Sequence, residues 1–193
     1  MGGNALSENT TGGYNTASGM YALQQNTTAS YNTADGYGAL AANTTGSTNA
    51  AFGKAAMQCN TTGSRNTAVG RTALHYNTTA GNNVAVGFYS LLCNKTGADN
   101  TAVGANALDA NETGADNTAV GKGALGANTT SGNTAVGKES LHGNTSGLLN
   151  VAIGNRSLFA NTTGSCSVAM GSAALESATT AVCNTAIGTY SLI

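Results

Sequence analysis

Few side chains in this sequence could do chemistry, and their spacing is more telling than their number. Cys166 and Cys183 lie 17 residues apart, and Cys59 and Cys93 lie twice that. Asp99 and Asp116 are also 17 apart. Thiols can form disulfides or hold metal, and a carboxylate pair can hold calcium. The remaining acids are Glu8, Asp35, Asp109, Glu112, Glu139 and Glu176, and the two histidines are His75 and His142. Whether any of these groups meet depends on what the interval of 17 means.

The interval belongs to a repeat. Its clearest copy is Asn100-Thr101-Ala102-Val103-Gly104, then Ala107-Leu108, then Asn111-Glu112-Thr113-Gly114. A glycine recurs from Gly2 to Gly188, stepping 17 residues each time except for 16 between Gly121 and Gly137. The alanine two before it is invariant from Ala17 to Ala186, and the leucine four after it breaks only at Met57. One asparagine opens the phrase, with Ser167 as the exception. A second, from Asn9 to Asn161, opens a Thr-Thr turn, and Ala178 replaces it at the end. A fixed period indicates a repeat architecture, and helical-pair repeats need about 33 to 47 residues. The predicted fold is therefore all-β: a parallel β-solenoid, or β-roll, of about eleven coils with 17 residues each. It forms one elongated domain over residues 1–193 with both ends in mid-repeat. Only the Ser172–Cys183 window is free enough of Gly and Asn to admit a helical turn.

Parallel strands stack at about 4.8 Å, so each residue meets its own copy above and below. Asparagine amides can then bond in ladders, and asparagine tolerates the left-handed backbone of a turn. Glycine serves a corner where a Cβ would clash. The short step places a deletion in residues 129–132, which predicts a surface loop. Alternation along a strand puts the alanine and leucine columns inside. The column before glycine, Ser18, Asp35, Phe52, Val69, Val86, Val103, Val120, Val136, Ile153, Met170 and Ile187, then faces out. Nine of these eleven are apolar, which predicts a cover, most simply a copy of the same chain. The converse, with the valines inside and the small alanines outside, also fits the alternation.

Stacking decides which reactive groups can meet. Cys166 and Cys183, about 4.8 Å apart, lie within disulfide reach; the alternative is small residues tolerated beside a turn. Cys59 and Cys93, two coils apart, cannot bridge. The histidines, four coils apart, share neither a metal nor a proton and are expected to face solvent. Calcium needs six to eight oxygens, which Asp99 and Asp116 do not supply. No metal site and no cofactor is expected. No catalytic motif appears, so no catalytic residue is assigned and the chain is expected not to be an enzyme.

Asparagine sequons occur at Asn9, Asn26, Asn43, Asn60, Asn77, Asn94, Asn111, Asn128, Asn144, Asn155 and Asn161. They predict either a row of glycans or an internal ladder, and the ladder reading is preferred. The Thr pairs offer hydroxyl rows, for which ice or glycan binding is an alternative function. Residues after each glycine are expected to face outward. Tyr21, Tyr37, Phe88 and Tyr89 are therefore the candidate contact residues, since exposed aromatics anchor contacts.

Three segments carry a resemblance: Asn82-Asn83-Val84-Ala85-Val86-Gly87, Leu149-Asn150-Val151-Ala152-Ile153-Gly154 and Cys166-Ser167-Val168-Ala169-Met170-Gly171, with Ser90, Ser157 and Ala174 downstream. They resemble the N-S-V-A-I-G-x-x-[AS] repeat of YadA-like heads in trimeric autotransporter adhesins. Similar N-T-A-[VI]-G repeats occur in phage tail-fibre-like proteins with a trailing self-cleaving chaperone domain. The resemblance implies a left-handed roll, three chains about one axis, and a bacterial surface. The family's repeat is shorter than 17 residues, so the Asn-Thr-Thr-Gly turn is extra. No neck, stalk, anchor or chaperone segment is expected among these residues.

Composition narrows the role. Charged residues are 8%, against roughly 25% in ordinary proteins, and net charge is −1. Nucleic acid is a poor partner for such a surface, and no apolar run is long enough to enter a membrane. A signal peptide is not recognisable at the start. The expectation is a structural fibre segment, extracellular, on a cell surface or on a virion, acting as a rigid display or adhesion rod. Its partners would be copies of itself, as a homotrimer or stacked end to end as a filament, and a cell-surface or glycan receptor.

Overall fold

The computed structural model describes residues 2–192. Eleven three-residue strands follow in order: β1 (Thr16–Ser18), β2 (Thr33–Asp35), β3 (Ala50–Phe52), β4 (Thr67–Val69), β5 (Val84–Val86), β6 (Thr101–Val103), β7 (Thr118–Val120), β8 (Thr134–Val136), β9 (Val151–Ile153), β10 (Val168–Met170) and β11 (Thr185–Ile187). They form one parallel sheet in sequence order. The register is that of the repeat: Ala85 pairs with Ala102, and Ala119 with Ala135 across the short step. Among the described residues there is no helix, and Ser172–Cys183 turns as every other coil does.

Between strands the backbone stays bonded to the next coil, for example Leu40 N–H to Ala56 O at 3.0 Å and Ala42 N–H to Gln58 O at 3.0 Å. A coil therefore has few unpaired backbone groups although only three of its residues are strand. Each coil bends through positive-φ backbone at four places. The column glycines from Gly19 to Gly188 hold φ of 122–137°, a region closed to residues with a Cβ. The second residue after glycine is left-handed as well, in a Gly-to-Ala turn closed by bonds such as Ala56 N–H to Gly53 O at 3.2 Å. Positive φ at the third residue of a turn is the type II signature.

The other two places bring a correction. The asparagine columns, expected to take the left-handed turn, do not. It is the leucine column that does, with φ of 50–53° from Leu6 to Leu192, together with the residue before the phrase asparagine. A leucine there costs about 1–2 kcal/mol, but burying its side chain returns about 1.5–3 kcal/mol. Leu23, Leu40, Leu74, Leu91, Leu108, Leu125 and Leu141 are completely buried, so burial wins.

The alanine and leucine columns form the core, and the column before glycine faces out. Phe52, Val69, Val103, Val120 and Met170 expose 36–41% of their surface, and Ile187 exposes 71%. Buried Ser90 and Ser140 stand in the small-residue column before leucine and satisfy themselves on Ala102 O and Ala152 O at 3.0 and 2.8 Å.

Candidate contact surface

Two asparagine ladders clamp the coils. In the turn ladder, except at Asn9 and Asn128, each Nδ2 donates to the Oδ1 one coil back and to the carbonyl three residues ahead. Asn43, for instance, reaches Asn26 Oδ1 and Gly46 O, both at 2.9 Å. In the phrase ladder, Oδ1 of Asn83 accepts the Asn100 backbone N–H at 3.0 Å, and its Nδ2 donates to Gly97 O at 3.0 Å. Ser167 keeps the pattern by accepting the Asn184 N–H on its hydroxyl at 3.2 Å. These amides are buried from Asn26 to Asn161. The sequon asparagines Asn26, Asn43, Asn60, Asn77, Asn94, Asn111, Asn128, Asn144 and Asn161 thus have their nitrogens turned inward and engaged. Asn9 is half-buried on the same ladder, and Asn155 is exposed.

The turn ladder has two defects, and each follows from a departure in sequence. Oδ1 of Asn161 has no donor because Ala178 replaces the next asparagine. Oδ1 of Asn111 has none because the missing residue near Thr130 pulls the Asn128 amide onto Thr130 O at 2.7 Å. The deletion does lie in a turn with exposed or half-buried residues. Its effect still reaches an interior amide.

In the Thr pairs, the first hydroxyl donates to the next coil: Thr44 Oγ1 to Thr61 O at 3.0 Å and Thr61 Oγ1 to Thr78 O at 2.9 Å. The second, as at Thr45, Thr62 and Thr79, is exposed. A single exposed row results at the turn.

The cysteines Cys166 and Cys183 share the position before the phrase asparagine, both exposed; all four thiols are free. Cys59 and Cys93 are half-buried, and burial pushes both thiols up from the ordinary value, with Asp109 and Glu112 adding to the effect at Cys93. Cys93 lines a shallow pocket of about 280 Å³ with Tyr76, Lys95 and Glu112. Lys95 Nζ meets Glu112 Oε2 at 2.8 Å, and this bond holds the ammonium above the ordinary lysine value.

The histidines are corrected: neither lies open to solvent. Both are half-buried, with Nδ1 against a carbonyl of the preceding coil: His75 on Ala55 O at 3.1 Å and His142 on Gly123 O at 2.9 Å. Asp99 and Asp116 are exposed in adjacent coils, and among the described residues no three His, Cys, Asp or Glu side chains converge.

The four candidate aromatics fall into two groups. Tyr21 and Tyr37 meet edge to face at 5.7 Å, with Lys54 Nζ at 5.9 Å from the Tyr37 ring. Phe88 and Tyr89 stack at 3.8 Å, with Arg71 Cζ at 5.8 Å from the Phe88 ring. Tyr37 and Phe88 are exposed, while Tyr21 and Tyr89, in the left-handed position, are half-buried. Lys54 and Arg71, in consecutive coils, join the groups into one strip. Sequence reasoning missed the parallel Tyr14–Tyr31 stack, 4.9 Å between centroids and 6° between planes. The 17-residue interval between these two tyrosines was the available signal. It also missed the Arg156–Phe159 pair, at 4.3 Å.

Among the described residues no helix is long and apolar enough to cross a membrane. Compared with protein-family models, curated proteins and solved structures, the chain matches none.

Proposed function

We propose that this chain is a non-enzymatic fibre segment, a rigid rod whose outer sheet face packs against copies of itself, three about one axis. One observation carries the reading. A parallel sheet is ordinarily covered on both faces, yet here Val69, Val103, Val120 and Met170 form an exposed apolar column along the rod. Three chains meeting on that column would bury it without leaving a sheet face open. Ser18 and Asp35 mark where the column turns polar, so the contact would loosen over β1 and β2. The resemblance to N-S-V-A-I-G and N-T-A-[VI]-G repeats favours the same arrangement, a left-handed roll displayed at a cell surface or on a virion.

Native mass spectrometry tests this reading. The expected species is three times the 18.9 kDa chain, and V103D/V120D is expected to give folded monomers. A wild-type monomer at every concentration, or open-ended fibres, would overturn the trimer. Ice binding is not adopted: the free turn hydroxyls make one row, which sets a spacing in one direction only.

A further inference from the structure

The exposed strip beside the sheet face has an unusual make-up for so uncharged a chain. Lys54 and Arg71 are two of only seven basic residues. They occupy the same position in consecutive coils, about 4.8 Å apart by backbone rise. The three ion pairs among the described residues use Lys95, Lys138 and Arg156, so neither member of this pair has a carboxylate partner. Asp35, in β2, is the one acid near the strip in sequence, and it forms no ion pair with Lys54. The two cations diverge, Lys54 toward Tyr37 on one side and Arg71 toward Phe88 on the other. Both approaches lie at the outer limit of about 6 Å for a cation over a ring. They are loose enough to leave the charges available.

An internal stack of cations and rings would account for the geometry alone, but not for two like charges set side by side with no anion. We propose that the strip Tyr37–Lys54–Arg71–Phe88 binds an acidic saccharide, sulfated or uronate-bearing, lying along the rod. The cation pair takes the anionic substituents, and the exposed Tyr37 and Phe88 rings, 49% and 41% accessible, pack against the apolar faces of the sugar rings. A nucleic acid would use the same chemistry, but its affinity comes from many phosphate contacts. Two clustered cations on a chain of net charge −1 are too few. The inference deepens the display reading and rests on the strip remaining uncovered in the assembly.

Calorimetric titration of the full chain with a heparin-derived tetrasaccharide tests it, with the oligomeric state of the same sample read by native mass. Binding that weakens as salt rises is expected, with affinity at least about tenfold lower in K54Q/R71Q, which is what losing even one of the two charged contacts would cost. K122Q/K138Q, another stacked cation pair but without flanking rings, should leave affinity unchanged. Y37L/F88L should weaken the tetrasaccharide. Absence of binding, equal affinity for a neutral tetrasaccharide, equal loss in K122Q/K138Q, or tighter binding of a single-stranded oligonucleotide each overturns the proposal. Binding by a monomeric chain would support the ligand site while overturning the trimer, and a trimer that ignores the saccharide would do the reverse.

Discussion

An asparagine amide has two N–H donors and one oxygen, and in the turn ladder all three are matched by geometry that repeats every coil. The ladder cannot end without leaving an oxygen behind, and Asn161 Oδ1 is that oxygen. A buried polar atom without a partner costs about 1–3 kcal/mol. A178N places an Nδ2 donor in the next rung, within reach of both Asn161 Oδ1 and its own turn carbonyl. It should raise stability by about 1 kcal/mol, seen as a higher denaturant midpoint at unchanged slope. An unchanged or lower midpoint would mean the orphan oxygen is already solvated. This was half-visible in sequence. The Ala178 exception could be read off, but that it leaves an acceptor stranded depends on the direction of the ladder bonds, which no spacing reveals. The left-handed leucines were hidden for a related reason: burial overrides backbone preference, so the residue type betrays nothing. The other two left-handed positions did leave a trace, since Gly38, Gly123, Gly132, Asn82, Asn106, Asp99 and Asp116 occur there.

At the scale of the element, the coil is decided by its glycine corner. A Cβ on Gly104 would stand 2.5 Å from Gly121 O and 3.0 Å from Lys122 N, backbone atoms that cannot swing aside, and φ is +137°. G104A should therefore cost about 3 kcal/mol or more. A Cβ on Gly13 meets nothing within 4 Å, so G13A should stay within about 0.5 kcal/mol of wild type. Thermal melts of the two variants measure the contrast, and similar melting points would show that the corner relaxes. This element was the most legible in sequence, because an unbroken glycine column admits few explanations. The strands were legible for their alternation, with alanine in and valine out, although three residues alone would not have marked a strand without the period.

For the whole molecule, stability in a stack of like units is close to a sum over units and their neighbours. Removing residues 101–117 joins Asn100 to Thr118 and closes the phrase without a seam. The shortened chain should fold, with its melting temperature within about 5 °C of the parent. Removing residues 101–116 instead joins Asn100 to Asn117 and puts one extra residue in the junction coil, which cannot keep both its asparagine rung and its strand register with the coil before it. Circular dichroism should show that chain melting far lower or not folding. Equal melts would mean that the columns do not hold the rod together. What the surface touches was the least legible in sequence. The aromatic candidates were chosen for exposure, whereas the grouping of Tyr37, Lys54, Arg71 and Phe88 depends on which way side chains lean between coils.

The shortened turn at Asn128–Asn133 carries a consequence for how such a gene can change. Loss of one residue at a bend is tolerated, yet it strands the buried amide oxygen of Asn111 in the neighbouring coil. Loss or gain of a complete repeat strands nothing. Recombination between near-identical repeats should therefore leave viable alleles that differ in rod length by whole steps of about 4.8 Å, while point deletions survive only at the tips of bends.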